Sequence, residues 1–258
     1  MSVKINLNAD IGEGHGAYSI GNDAAIMKIV GSVNVACGFH GGDAGVMRDV
    51  VLAAKENNVT VGAHPGFNDL WGFGRRRIDM DPNDLEYMVA YQIGALVGIA
   101  SYAGIKVSHV KAHGALNNMA ATNAEYAMAI GRAIKTVDSS MIYLALSGSE
   151  MVKAGHALGL PTSPEAFIDR QYDDDGNLAT RKQPENVIKD PEMAAARAVQ
   201  MVREKTIISR TGTPMPTEFD SLCVHGDEPT AIAVAEASRA ALEQAGVEIV
   251  TLPEAFAK

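Results

Sequence analysis

Acids and bases recur along this sequence at intervals that suit one shared catalytic pocket. Asn6, Asn8 and Asp10 alternate with Ile5, Leu7 and Ala9, so an extended backbone sends two amides and a carboxylate to one face and the apolar side chains to the other. His109, Lys111 and His113 repeat the pattern around Val110, and Cys223 shares a face with His225. Other groups follow apolar runs directly: Glu13, then His40 and Asp43 in Gly38-Phe39-His40-Gly41-Gly42-Asp43, then His64, Glu165, and His225 with Asp227. Imidazoles and carboxylates move protons to and from reacting oxygens and nitrogens. The catalytic candidates are therefore Asp10, Glu13, His40, His64, Lys111, His113, Glu165 and His225. Asn8, Asp43, Arg75, Arg76, Asp169, Arg170 and Asp227 are candidates for holding substrate, the arginines because a guanidinium grips a carboxylate or phosphate through two parallel hydrogen bonds. Against this stand plainer roles: Asp43 and Asp227 as helix caps, Asp169 or Glu165 as a partner for Arg170, and Arg75-Arg76-Arg77 as a solvated charge run.

A divalent metal is a second reading of the same residues. Asp10, His40, His64 and His113 are hard or borderline ligands suited to zinc, manganese or magnesium. HExxH and HxH are both absent, so a metal-free set of hydrogen-bonded acids and bases competes equally. Gly12-Glu13-Gly14-His15-Gly16-Ala17 matches GxGxxG/A in form, but Asp10 and Glu13 place anions where a pyrophosphate would sit. There is no GxxxxGK[ST] loop, so the chain alone shows no familiar way to hold ATP, and no GxSxG elbow for serine catalysis. Cys37 and Cys223 lie far apart without CxxC, which argues against a disulfide framework or a cysteine zinc site.

The elements that must position these groups alternate. Short β-branched runs stand at 3–8, 33–36, 59–63, 106–112, 141–146, 220–224 and 247–251, with a weaker one at 160–166. Between them lie amphipathic helical patterns. Asp43 opens one, and Asp81-Pro82 opens another that ends at Gly104. Thr122 with Glu125 reads as a capping box, while Asp190-Pro191 and Asp227-Glu228-Pro229 read as helix N-termini. Strands separated by single helices imply parallel right-handed crossovers, and seven or eight such units in 258 residues favour one α/β domain over 1–258. That domain would be a closed or nearly closed β/α barrel of the TIM type, with a doubly wound open sheet as the runner-up. Barrel interiors are ordinarily filled by branched aliphatics, so inward amides and carboxylates must be paired with one another, water, metal or ligand. The loop-rich stretch 169–190 reads as a lid or a hairpin.

Composition narrows the partners. The chain is 47% hydrophobic and 21% charged, with 22 Lys+Arg against 31 Asp+Glu and a net charge of −9. It lacks the cationic field that nucleic acid or anionic membrane requires. No apolar run approaches the roughly 20 residues of a membrane span, and no signal-peptide pattern is present. A cytoplasmic location is expected.

Specific blocks also resemble a known family. Asn6-Leu7-Asn8-Ala9-Asp10-Ile11-Gly12-Glu13, the segment Val33 to Asp43, Gly62-Ala63-His64-Pro65, Gly72-Phe73-Gly74-Arg75-Arg76 and Val110-Lys111-Ala112-His113-Gly114 are similar to the LamB/YcsF family, as are Glu165-Ala166-Phe167-Ile168-Asp169-Arg170 and Cys223-Val224-His225-Gly226-Asp227. Departures are small: Ala9, Ala112 and Asn117 stand where cysteine, proline and tyrosine are common. The resemblance implies a barrel of the glycoside hydrolase/deacetylase type. It also implies ATP-dependent opening of 5-oxo-L-proline to L-glutamate by a multi-subunit 5-oxoprolinase, this chain acting as its A subunit and 5-oxoprolinase subunits B and C as partners. ATP would then be consumed in the complex, outside this chain. A stand-alone metal-dependent deacetylase or amidase, and a non-catalytic 5-oxoproline-binding subunit, are the alternatives.

Overall fold

The computed structural model describes residues 3–225 and 229–257. Its strands are β1 Val3–Ile11, β2 Ser32–Ala36, β3 Thr60–His64, β4 Val107–Val110, β5 Ile142–Leu146, β6 Thr162–Phe167, β7 Thr206–Ile208, β8 Pro214–Pro216, β9 Ser221–Val224 and β10 Val247–Val250. Every expected extended run, including the weak one that became β6, forms a strand. β1 to β6 and β9 pair in parallel in that order, and β9 returns to β1, closing a seven-stranded barrel. β10 lies outside the ring. β1 is long because it serves three neighbours in succession: β10 along Val3–Asn6, β9 along Asn6–Ala9 and β2 along Asn8–Ile11. β7 and β8 form a separate antiparallel hairpin that the sequence pattern did not suggest.

Helices follow most strands and pack against the outward side chains Ile5, Leu7, Ala9, Val33, Val35, Val61 and Ala63, all buried in one apolar cluster. Their ends follow capping chemistry. Asp43 accepts from the N–H groups of Gly45 and Val46 at the start of helix Ala44–Glu56. Asp81 caps Pro82–Ala103, which stops at a left-handed Gly104, and Asp190 caps Pro191–Glu204. The cap of helix Ala124–Asp138 is Asn123, not Thr122, because the preceding helix Gly114–Thr122 carries through Thr122 and leaves Asn123 as the extended residue between them. Asp227 and Glu228 lie outside the described residues; helix Ala231–Gln244 follows Thr230. Among the described residues no helix is long and apolar enough to cross a membrane.

Inside the ring the amide side chains are paired with their polar neighbours. Asn6 donates to Ser32 Oγ and the Val250 carbonyl and accepts from Ser221 Oγ. Asn34 donates to Asn8 Oδ1 at 2.7 Å and Asp10 Oδ1 at 2.8 Å, and its own oxygen faces His109 Nε2 at 2.8 Å. A Cβ at Gly62 would stand 2.2 Å from the His109 ring, so glycine is what lets that ring lie against β3. Paired in this way, the amides avoid the several kcal/mol that unpaired burial costs, and they fix the side chains above them. Within the stretch 169–190 a short hairpin forms, Tyr172 bridging Leu178 around the turn Asp173–Asn177, and Arg170 separately bridges Val187.

Candidate active site

Lys111, just past β4, organises the deepest layer. Its Nζ lies 2.9 Å from Asp10 Oδ1, 3.0 Å from Cys223 Sγ and 3.4 Å from Glu165 Oε2. Burial would raise the Asp10 pKa, but His64 and Lys111 outweigh it and hold that carboxyl well below the usual range. Burial likewise opposes the lysine's charge, and Asp10, Cys223 and Glu165 restore it, keeping Lys111 above its ordinary value. Glu165 is pushed upward by burial, and its Oε1 has no partner. One buried cation thus serves Asp10 first, while burial raises the pKa of Glu165.

Above this layer, donor atoms of Glu13, His40, His64 and His113 all lie within 4.8 Å of one another. Glu13 Oε1 is 3.3 Å from both His40 Nε2 and His113 Nδ1, and His64 Nε2 is 3.2 Å from Asp10 Oδ2. The rings of His40 and His113 stack at 3.6 Å. Backbone carbonyls fix two of the tautomers: Lys111 O lies 2.8 Å from His64 Nδ1, and Phe73 O lies 2.8 Å from His113 Nε2. A carbonyl only accepts, so those nitrogens carry protons, and in the neutral rings the lone pairs of His64 Nε2 and His113 Nδ1 point into the cluster. Carbonyl-oriented imidazoles converging with a carboxylate are the donor set and outer support of a divalent metal site, and these residues fit one. Burial, and second the nearness of the His113 ring, lower His40 to about 3, which favours its neutral form.

The loop after β3 holds this cluster in place. Asp69 accepts from the Gly72 N–H and is clamped by the Arg76 guanidinium. That loop carries Phe73, with φ of 55°, and Gly74, where a Cβ would meet His40 Cβ at 2.6 Å and His113 Cδ2 at 2.8 Å.

On the opposite wall His225 forms a dyad with Asp169. Its backbone N–H and its Nδ1 both reach the Asp169 carboxylate, at 2.9 and 2.8 Å. Burial would raise Asp169, but the His225 charge and hydrogen bonds prevail and bring it down to about 2. The Nδ1 proton is thereby committed to Asp169, leaving Nε2 as the working nitrogen, while burial lowers the pKa of the imidazole.

These groups surround a cavity of about 650 Å³ at the C-terminal ends of the strands. Asp10, Glu13, His64, Lys111, His113 and His225 line it, with Arg75 and Arg170 toward the outside. His40, Asn8, Glu165 and Asp169 stand behind those side chains and contact them. Two substrate-binding candidates are placed elsewhere. Asp43 is spent on the helix cap and the Gly16 N–H, and the Arg76 side chain is 67% exposed, bound to Asp69 as a loop brace. Asp227 falls outside the described residues. Asn34, Asp69, Phe73 and Cys223 were not among the candidates; Asn34 alternates inward on β2 as Asn8 does on β1, and that pattern could have found it.

Comparison with known proteins agrees with this architecture. The LamB/YcsF family profile matches residues 5–257. The chain is 50% identical over 246 residues to the A subunit of 5-oxoprolinase from Rhodopseudomonas palustris (strain BisB18), covering 95% of this chain and 96% of that one. It is similar in structure to a lactam utilization protein from Thermus thermophilus, with a TM-score of 0.91 and 44% identity over 96% of this chain and all (100%) of the other. A T48 deacetylase, with a TM-score of 0.53 and 12% identity in a match covering 99% of this chain and 91% of that one, shares the fold alone. The seven-stranded parallel barrel, the placement of its inward polar residues and a match from the first strand to the last helix lead to one assignment: this chain belongs to the LamB/YcsF family.

Proposed function

We propose that this chain is the A subunit of an ATP-dependent 5-oxoprolinase of the cytoplasm, and that its pocket opens the lactam of 5-oxo-L-proline to L-glutamate, with subunits B and C supplying the ATP-dependent step. The observation that carries the catalytic part is the pairing, across one cavity, of the His225–Asp169 dyad with the Glu13/His40/His64/His113 cluster.

Opening a lactam requires a polarised carbonyl, an attacking water and a proton for the departing ring nitrogen. Asp10 and Glu13 are held below the usual carboxylate range, which makes them anchors for cationic neighbours and weak proton acceptors. Base and acid work therefore falls to His225, whose Nε2 takes a proton from water and returns one to the ring nitrogen while Asp169 steadies the imidazole. Lys111 offsets negative charge through Asp10. A divalent metal on Glu13, His40, His64 and His113 would supply Lewis-acid polarisation of the lactam oxygen. The phenyl ring of Phe167, stacked near His225 at 5.5 Å, keeps water from the back of that imidazole.

The test is reconstitution with subunits B and C, measuring 5-oxoproline-dependent ATP hydrolysis and glutamate formation with each component omitted in turn. Glutamate formed only by the full set, and lost with His225→Gln, supports the reading; full turnover without this chain overturns it. A second reading, a stand-alone metal-dependent amidase, is favoured by the three-histidine cluster, and turnover by this chain with metal but without ATP would establish it.

A further inference from the structure

Helix Gly114–Thr122 starts at His113 and carries Asn117 one turn further on, where its backbone N–H reaches the His113 carbonyl at 3.3 Å. Asn117 lines the same cavity as His113 and His225 and is only 5% exposed. Six carboxamide side chains are buried among the described residues: Asn6, Asn8, Asn34, Gln92, Asn117 and Asn186. All but Asn117 make at least one hydrogen bond of 2.9 Å or shorter. Asn117 donates only to Oδ1 of the exposed Asn118, at 3.4 Å, and no described residue donates to its own Oδ1. Its neighbours on that wall, Ala115, Ala121 and Leu146, are apolar. Asparagine is a poor helix former, and burying a carboxamide without close partners is costly. Neither the helix nor the core explains this side chain, so its partner belongs in the cavity.

We infer that Asn117 reads the amide edge of the substrate, its Oδ1 accepting from the lactam N–H and its Nδ2 donating to the lactam oxygen. A five-membered ring holds its amide cis, so N–H and C=O point to the same side, and a carboxamide offers the matching acceptor and donor side by side. An open-chain secondary amide is trans, with those two groups on opposite sides, and can make only one of the two bonds. The chain uses a carboxamide in this two-bond manner elsewhere: Gln92 donates to the Gly66 carbonyl at 2.9 Å and accepts from the Gly66 N–H at 3.0 Å. The inference rests on the function proposed above and sharpens its substrate class to small cis amides, passing over the trans amides of peptides. Asn117 holds the N–H that lies in the ring plane, and the lone pair that develops on nitrogen out of that plane as the ring opens is left for His225. The lactam oxygen keeps its second lone pair for a polarising group.

Calorimetric titration of the full chain with 5-oxo-L-proline, with the lactone that has oxygen in place of the ring N–H, and with open-chain N-acetylglycine tests it. The lactam is expected to bind at least about tenfold tighter than either, because the lactone sets an oxygen against Oδ1 and the trans amide satisfies only half of the carboxamide. Asn117→Leu keeps the shape and removes both polar atoms; it is expected to bind lactam and lactone within about threefold of each other. Leucine is the better helix former, so this variant is expected to keep or raise the wild-type melting temperature, and Asn117→Ala gives the same reading without the bulk. A preference for the lactam that survives in both variants, or a wild type that binds all three alike or none of them, overturns the inference. The titration needs no other component of the complex, so it stands apart from the reconstitution. A lactam preference lost with Asn117, in a chain whose complex makes no glutamate, would uphold the recognition and reject the reaction. Glutamate formation alongside a preference indifferent to Asn117 would reject the recognition alone.

Discussion

His64 Nε2 and His113 Nδ1 face each other at 3.1 Å, and with both rings neutral neither can donate, because each ring has given its one proton to a backbone carbonyl on its other side. Two lone pairs at that distance repel unless something positive lies between them. The position is strengthened by Glu13 Oε1, 3.3 Å from the same His113 nitrogen.

That arrangement predicts tight binding of one divalent transition metal. Zinc or manganese at about a hundredfold over its dissociation constant should stabilise the protein by about 2.7 kcal/mol, readable as a rise in melting temperature. His113→Asn should abolish the rise. Gly74→Ala should weaken binding by about tenfold or more, since a Cβ there would meet His40 and His113. A wild-type melting temperature indifferent to every divalent ion tested would refute the site.

Replacing Lys111 by methionine should cost about 3–5 kcal/mol in urea unfolding, because it strands the Asp10 carboxylate in the barrel. Adding Asp10→Asn to that variant should restore part of the loss. Additive losses in the double variant would show that the pair is not coupled.

Asp169 predicts an acid limb in stability. Its folded pKa, about 2, lies below the roughly 3.9 of an unfolded aspartate, so its contribution is complete above about pH 4 and fades as pH falls toward 2. The groups that face it are His225, Arg170, Arg181 and Arg197. Unfolding free energies measured from about pH 5 down to about pH 2 should fall more steeply in the wild type than in Asp169→Asn, by about 2–3 kcal/mol across the range. Parallel curves would contradict the dyad.

In the reconstituted complex, His225→Gln should lower kcat by about 10²–10⁴ with little change in KM. Asp169→Asn should lower it by about 10² or more, by releasing the Nδ1 tautomer. A KM effect alone would make the dyad a binding feature.

Much of this architecture is legible in the sequence because strands announce themselves by local chemistry. β-Branched runs mark most barrel strands, β6 only weakly, and the alternation of Asn6, Asn8 and Asp10 marks the inward face of β1. Residues that line the cavity, such as His64 and His113, stand directly after such runs for the same reason. Three things depend on contacts no local pattern encodes. The proton on His225 is set by Asp169, fifty-six positions away. Neighbouring arginines differ in fate because Asp69 captures Arg76 while Arg75 reaches the cavity. The β7–β8 hairpin is built from three-residue strands, one of them bounded by Pro214 and Pro216, too short and too proline-rich to read as sheet.

The three successive partners of β1 also bear on synthesis. β9 supplies residues 221–224 and β10 residues 247–250 to a strand at residues 3–11, so a nascent chain holds an open sheet, with one edge of β1 unpaired, until those residues have left the ribosome. His225 emerges with the strand that closes the ring. The barrel and its His225 wall are therefore completed together, and until then the open edge of β1 is a site at which another strand could pair.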